Sequence, residues 1–126
     1  MDLNLTGKTA LVVASSQGLG FAIAERLVKE GANVMISGRE EEKLKQKARQ
    51  LESIGRGKAA YQKTDITNPE GIKQLVKITA ETFHGIDILV NNAGGPPAGS
   101  FEELSDDEWQ MSFELNLLSY VRMIRA

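Results

Sequence analysis

Glycines and hydroxyl side chains form the first segment of this sequence that could bind a ligand, VVASSQGLGFAIAERL at residues 12–27. An apolar run ends there, Ser15 and Ser16 follow as hydroxyl donors, and Gly18 and Gly20 precede a helical pattern. Glycines lack a Cβ, so the backbone amides around them can approach a phosphate closely. A helix start adds unpaired amides and the positive end of the helix dipole. The segment therefore predicts a phosphate-binding loop, and the alternative is an ordinary turn that contains two glycines.

A cation follows the second apolar segment, where an acid would be expected in a protein that binds NAD. Such folds usually place the acid at the end of the second strand, about 20 residues past the glycines. Here Gly38 is followed by Arg39. An arginine near a helix start opposes the helix dipole, and a bound 2′-phosphate would compensate for this through a bidentate contact. An exposed arginine that pairs with a nearby glutamate explains the sequence equally well.

Two more polar groups follow apolar segments. Asp65 could accept a hydrogen bond from an adenine amino group, but taken alone it is better explained as the start of a turn before Thr67. The tetrapeptide Asn91 to Gly94 (NNAG) directly follows IDILV. Its amides could hold neighbouring strand ends in place, and its alanine and glycine would leave a flat floor for a ring. A polar loop without a ligand is the alternative.

Asn116 lies in the mostly apolar helical segment SFELNLLSYV. Asparagine is a mediocre helix former and is costly to bury without a partner. A polar group with a specific task is one interpretation, and the pattern alone slightly favours a partly exposed side chain beside Glu114.

The elements that would position these residues alternate along the chain. Apolar segments predict buried parallel strands at 9–14, 33–37, 59–64 and 86–90. Amphipathic spacing predicts helices at 21–29, 40–51, between the caps near Thr67 and Gly85, and from about Asp106 to the end. This order predicts a doubly wound, Rossmann-like parallel α/β sheet. Ligands bind at the carboxyl ends of such strands, where all of the loops above lie.

Two helix starts carry capping signals. The third helix fits either a capping box from Thr67 to Glu70 or an Asn68 cap with Pro69 first in the helix. The last helix has a capping box in the segment 105–108, SDDE.

Length and composition set the remaining limits. We expect the 126 residues to form a single domain, residues 1–126. A net charge of −2 gives no reason to expect nucleic acid or an anionic membrane as a partner. The sequence has no cysteine and only one histidine, His84, which argues against a disulfide framework and a metal site. No signal peptide or membrane span is recognisable, so we expect a cytoplasmic protein.

Taken together, these motifs resemble those of the short-chain dehydrogenase/reductase family. The family pattern T-G-x-x-x-G-x-G corresponds to residues 13–20, VASSQGLG. The family's aspartate after the third strand matches Asp65, its N-N-A-G matches Asn91 to Gly94 without change, and its helix asparagine matches Asn116. The resemblance covers essentially the whole chain and is loosely closest to 3-oxoacyl-(acyl-carrier-protein) reductase.

The resemblance implies an oxidoreductase that transfers a hydride between NADP(H), rather than NAD(H), and a small carbonyl or alcohol substrate. Arg39, together with Ser37, would select NADP(H). Asn116 would position a water in the proton relay that serves the catalytic lysine. The residues implied to contact the cofactor are Ala14, Ser15, Ser16, Gly18, Leu19, Gly20, Ser37, Arg39, Asp65, Ile66, Asn92, Ala93 and Gly94.

Two features depart from the family pattern. Val13 and Ala14 replace Thr-Gly, and a methyl group resists a positive φ, so we expect Ala14 to keep an ordinary φ and cofactor binding to be retained. The family's catalytic serine and Tyr-x-x-x-Lys are absent, since Tyr120 is followed by VRMI. We therefore expect a fold truncated after the fourth strand and the following helix, and inactive alone. The alternative is a non-catalytic nucleotide-binding module that is complete at 126 residues.

Such a truncation would expose apolar surface. The segment 86–90 would form an unprotected sheet edge, and the last helix would lose cover over Trp109, Phe113, Leu117 and Tyr120. We therefore expect a homo-oligomer. A phosphoacceptor receiver domain is a poor alternative, because A-S-S stands where acidic residues would follow the first strand.

Overall fold

Within the part of the chain that the structure describes, four parallel strands form one sheet, in which the third, second, first and fourth strands along the chain lie side by side in that order. The computed structural model describes residues 1–95 and 98–126, so Pro96 and Pro97, which follow the N-N-A-G segment by one residue, lie outside the described residues. The strands are β1 (Thr9–Val12), β2 (Asn33–Gly38), β3 (Ala59–Lys63) and β4 (Ile88–Val90). The predicted doubly wound, Rossmann-like sheet is confirmed.

Helices connect these strands as the periodicity predicts. They are α1 (Gly18–Lys29), α2 (Glu41–Glu52), α3 (Pro69–Phe83), α4 (Asp106–Phe113) and α5 (Ser119–Arg125), with a π-helical turn (Glu114–Leu118) between α4 and α5. No helix in the described part of the chain has both the length and the apolar character needed to cross a bilayer.

Three predicted boundaries differ from the structure by two residues or more, and two of them flank the glycine loop. β1 ends at Val12 instead of Ala14, because Ala14 has a φ of 51° and leaves the extended conformation. α1 begins at Gly18 instead of Phe21, and the amide of Phe21 already donates to the carbonyl of Gln17. β4 is shorter than predicted and begins at Ile88.

The caps of two helices are resolved at the level of single hydrogen bonds. Asn68 caps α3 by accepting from the amide of Glu70 at 3.0 Å, and Pro69 is the first helical residue. The alternative cap by Thr67 is not adopted, since its hydroxyl donates to Asp65 instead. The predicted capping box at the start of α4 is confirmed, between Ser105 and Glu108.

Apolar side chains fill both faces of the sheet, which explains the continuous apolar strands. Val12 and Ile36 face α1 and α2, whereas Leu11 and Met35 face α3 and α5. Burying one such side chain fully contributes about 1.5–3 kcal/mol. The strands are therefore held from both sides, and their carboxyl ends form a fixed edge for the loops that follow.

The last helix is interrupted, which the sequence analysis did not predict. Side chains in α4 and the π-helical turn donate to carbonyls one turn back, from Ser112 to Glu108 at 3.0 Å and from Asn116 to Ser112 at 3.3 Å. Such bonds compete with the backbone ladder, and π-helical turns are single-turn interruptions of this kind. Apolar residues continue on both sides of the interruption, so the pattern looks like one helix.

Candidate functional site

The loop after β1 is tied to β2 through Ser15. The Ser15 hydroxyl donates to the carbonyl of Val12 at 2.6 Å and accepts from the amide of Ser37 at 3.1 Å. The Ser15 amide donates to the carbonyl of Ser37 at 2.8 Å. Because a hydroxyl has one hydrogen and that of Ser15 is donated to Val12, the buried Ser15 side chain has none left for a ligand, contrary to its expected use as a donor. This pair fixes the path of the loop.

Ala14 does not adopt the ordinary backbone conformation that its methyl group led us to expect. Its φ of 51° lies in the left-handed region, which costs about 1–2 kcal/mol for a residue with a Cβ. A partner helps to hold it there, since the side-chain amide of Asn92 donates to the carbonyl of Ala14 at 3.0 Å. The bond confirms the prediction that a side-chain amide of the segment Asn91 to Gly94 holds neighbouring strand ends in place.

The two glycines of the loop serve different purposes. A Cβ on Gly20 would lie 2.5 Å from the carbonyl oxygen of Ala14 and 2.8 Å from Asn92 Nδ2, so this glycine allows α1 to pack against the loop. A Cβ on Gly18 would meet no atom of the described residues within 4 Å, and its φ is 58°. Gly18 therefore borders open space at the helix start, and Leu19 beside it is exposed.

The N-terminus of α1 fits an anionic group. Gln17 occupies the cap position but its side chain bonds none of the helix amides, and the first turn has no acidic residue. The amides at the start of a helix carry partial positive charge and need an acceptor. Together with the open space at Gly18, this arrangement fits the phosphates of a dinucleotide.

The loop after β2 lies beside the glycine loop. A Cβ on Gly38 would lie 3.4 Å from the hydroxyl oxygen of Ser16, so the two loops are in close contact. Arg39 follows and is exposed. The hydroxyl oxygen of Ser37 is buried and has no hydrogen-bond partner among the described residues. The structure thus brings Ser16 and Arg39 to the same part of the edge, while Ser37 lies beneath it.

Asp65 begins the loop after β3 and adopts the predicted turn. Its Oδ1 accepts from the hydroxyl of Thr67 at 2.6 Å and from the amide of Thr67 at 2.9 Å. These hydrogen bonds lower the pKa of the Asp65 carboxyl below its usual value; burial opposes them, and the charge of Arg39 adds a lowering effect smaller than that of burial. Ile66 is buried against α3, so its side chain packs in the core.

The loop after β4 contributes the fourth part of the edge. Asn92 and Ala93 are partly buried, and Gly94 is exposed with open space around it. Asn91 Oδ1 is buried without a hydrogen-bond partner in the described residues. A buried acceptor without a hydrogen bond lowers the stability of the folded state. A donor placed beside Asn91 Oδ1 would therefore stabilise this loop.

Asn116 lies in the π-helical turn and is half-buried. Its only side-chain hydrogen bond within the described residues is to the carbonyl of Ser112, so no bond joins it to the four loops. It lines a cavity of about 250 Å³ together with Trp109, Ser112, Phe113 and Leu117. The structure therefore does not connect Asn116 to the glycine loop directly.

One contact at this edge was missed by sequence reasoning. The ammonium of Lys43, in the first turn of α2, donates to the side-chain oxygen of Gln17 in the glycine loop. Lys43 is one of several charged residues in a helix that looked like an ordinary solvated face. Nothing in its spacing distinguishes it, because the contact depends on how two loops meet.

Comparison with known proteins identifies the family. A sequence model described as short chain dehydrogenase matches residues 8–126. The chain belongs to this family of oxidoreductases. Its sheet order and flanking helices also match solved structures of the family.

Three relatives show the extent of the similarity. The chain is 42% identical to the uncharacterized oxidoreductase YvaG of Bacillus subtilis, covering 99% of this chain and 46% of that protein. It is 38% identical to the 3-oxoacyl-[acyl-carrier-protein] reductase FabG of Vibrio cholerae, covering 98% and 49%. The structure of L-sorbose reductase from Gluconobacter frateurii, complexed with NADPH and L-sorbose, superposes with a TM-score of 0.93 at 38% identity, covering 99% and 48%. The chain thus spans about half the length of the relatives it matches.

Proposed function

We propose that this chain is the cofactor-binding part of an NADP(H)-dependent oxidoreductase that acts on a small carbonyl or alcohol substrate. The observation that carries the proposal is the start of α1. Its amides have no side-chain cap, its first turn has no acidic residue, and the space beside Gly18 is open. An anionic group bound there would satisfy amides that the protein itself leaves without a side-chain acceptor.

The proposed cofactor contacts follow the loops along the edge. Ser16, Gly18, Leu19 and Gly20 would surround the phosphates, while Ala14, Ser15 and Ser37 hold the loop in shape. Asp65 would flank the adenine through its second carboxylate oxygen, and Ile66, whose side chain packs in the core, would do so through its backbone. Asn92, Ala93 and Gly94 would line the ribose beside the nicotinamide. When bound, this cofactor supplies or accepts the hydride.

A preference for NADP(H) over NAD(H) rests on Arg39. A carboxylate at the end of β2 would repel a 2′-phosphate, whereas Gly38 and an exposed arginine stand there. A guanidinium can donate two parallel hydrogen bonds to a phosphate group. A ribose hydroxyl has only one oxygen and cannot accept them in this way. The solved relative with NADPH bound is consistent with this preference.

Asn116 would position a water for proton transfer, with its side chain facing the cavity beside the π-helical turn. The proton donor itself is not supplied by these residues, because no Tyr-x-x-x-Lys occurs in the 126 residues. We therefore propose that the chain binds the cofactor and does not reduce a carbonyl alone. Oxidation of NADPH by the purified chain with a carbonyl substrate would contradict this part.

We also propose that copies of the chain associate, in the cytoplasm. One side of α4 and the π-helical turn exposes three large apolar side chains, with 40% of Trp109, 52% of Phe113 and 51% of Leu117 accessible. A contiguous apolar surface of this kind favours association. Sedimentation should show a dimer or larger species that Leu117→Glu weakens and Gln110→Glu leaves unchanged; a monomer at high concentration would contradict this.

Site-resolved magnetic resonance tests the cofactor proposal. NADPH should shift the amide signals of Gly18, Leu19 and Gly20 as it saturates the protein. The internal control is the amide of Gly55, which lies in the turn before the amino end of β3, and its signal should not shift. Shifts confined to other surfaces, or no shifts, would overturn the proposal.

A further inference from the structure

A side-chain contact joins the glycine loop to the first turn of α2. Lys43 Nζ donates to Gln17 Oε1, although the two residues are 26 positions apart in the sequence. Gln17 occupies the cap position of α1, where a polar side chain would ordinarily accept from a helix amide, and it does not do so. Its oxygen instead accepts from the ammonium of Lys43, which leaves the helix amides open.

The charge of Lys43 is not neutralised by its contact. In residues 1–95 and 98–126, no carboxylate forms an ion pair with it, in contrast to Lys29 with Glu25 and Lys73 with Glu70. Its bonded partner is a neutral amide. An ammonium has three donors, and Gln17 uses one of them. Lys43 is therefore a full positive charge held over the glycine loop with donors to spare.

Arg39 is differently placed, because its charge is partly offset. The charge of Arg39 makes a minor contribution to the lowered pKa of the Asp65 carboxyl, which lies in the loop after β3. The ammonium of Lys43, in contrast, is bonded to Gln17 in the loop after β1. The exposed side chains of residues 40–42, all glutamate, add negative charge at the same helix start. Arg39 alone would leave this corner with little net positive charge.

A phosphate monoester carries about two negative charges near neutral pH, more than one partly offset cation can balance. We propose that Lys43, held in place by Gln17, is a second specificity-determining residue that binds the 2′-phosphate of NADP(H) together with Arg39. This inference rests on the proposed function, since it names a further residue of the same site. Gln17 is then a positioning residue that keeps the ammonium over the loop.

Titration calorimetry with NADPH and NADH tests the inference. Lys43→Gln removes the charge from a partly exposed side chain and should leave the fold intact, as circular dichroism would verify. It should weaken NADPH binding about tenfold, the size of one charge-assisted hydrogen bond, and change NADH binding less than about twofold. Gln17→Ala keeps the charge and should weaken NADPH binding by about two- to threefold.

The matched control is Lys45→Gln. Lys45 lies in the same helix with the same charge, but it lines the surface between α2 and β3, away from the glycine loop. It should change neither affinity. Equal losses for NADPH and NADH in Lys43→Gln, or no loss, would overturn the role of Lys43 while the proposed function stands. If the unmodified protein binds neither dinucleotide, both the inference and the proposed function fall.

Discussion

The side-chain amide of Asn92 donates a hydrogen bond to the carbonyl oxygen of Ala14 at 3.0 Å, across 78 positions of sequence. It joins the loop after β4 to the glycine loop after β1, two neighbouring strands of the sheet. The bond supports the carbonyl of a residue whose φ is 51°. The shape of the proposed phosphate-binding loop therefore depends on a residue from a different loop.

Gly20 lies against this hydrogen bond, so Gly20→Ala should disturb it. The added methyl would lie 2.5 Å from the Ala14 carbonyl oxygen, a backbone atom that cannot easily move. Overpacking costs about 1–3 kcal/mol, which outweighs the gain of about 1 kcal/mol in helix propensity. We expect a lower free energy of unfolding in urea and weaker NADPH binding. Gly95→Ala is the control, since its methyl would meet no atom of residues 1–95 and 98–126 within 4 Å; equal effects of the two substitutions would count against this explanation.

Ala14→Gly should have the opposite effect on stability. Glycine relieves the left-handed strain, and after its larger entropy in the unfolded chain is subtracted, the gain is about 0.5–1 kcal/mol. The control is Ala22→Gly, at an exposed position inside α1, where the same exchange should cost about 1 kcal/mol. Urea unfolding of both variants gives the comparison. Destabilisation by Ala14→Gly would show that the positive φ is not strained.

Arg39→Gln should reduce the affinity for NADPH by about tenfold or more and affect NADH little, because the lost contact is to the 2′-phosphate. Arg49→Gln, an exposed position at the other end of α2, controls for the loss of one positive charge. Calorimetric titration of each variant with both cofactors provides the measurement. Equal losses of affinity for the two cofactors would show that Arg39 does not select NADP(H) over NAD(H).

Thr67→Val should raise the pKa of Asp65, because the hydroxyl bond of Thr67 is the largest cause of its lowered value. A carboxyl whose pKa is lower in the folded state stabilises the protein above its unfolded pKa. That stabilisation is lost as pH falls through the folded value, so the wild-type advantage lies at mildly acidic pH and above and disappears in strong acid. Carbon-13 magnetic resonance of the Asp65 carboxyl measures the shift. Thr82→Val, at the far end of α3, should leave that titration unchanged, and an unchanged pKa in Thr67→Val would refute the assignment.

The sequence predicted the sheet, the helix order and the loops of the site because each follows from local periodicity and turn chemistry. The capping box at Ser105 and the helix start at Asn68 to Pro69 are local patterns of this kind. The conformation of Ala14 was predicted wrongly, because its support comes from Asn92, far away in the chain.

Two other features depend on tertiary structure or on competition within the helix. The π-helical turn at Asn116 coincides with side chains that bond to backbone carbonyls, and apolar periodicity does not report such bonds. The contact of Lys43 with Gln17 requires the loops after β1 and β2 to be adjacent, which only the sheet order establishes.

The most direct test of the central claim is a calorimetric titration of the 126-residue protein with NADPH and, separately, with NADH. The account predicts saturable binding of one NADPH per chain, at least about tenfold tighter than NADH, because only NADPH carries the 2′-phosphate that Arg39 would contact. Absence of saturable binding by either cofactor, or tighter binding of NADH, would contradict the assignment of the edge formed by the glycine loop and Arg39 as an NADP(H) site.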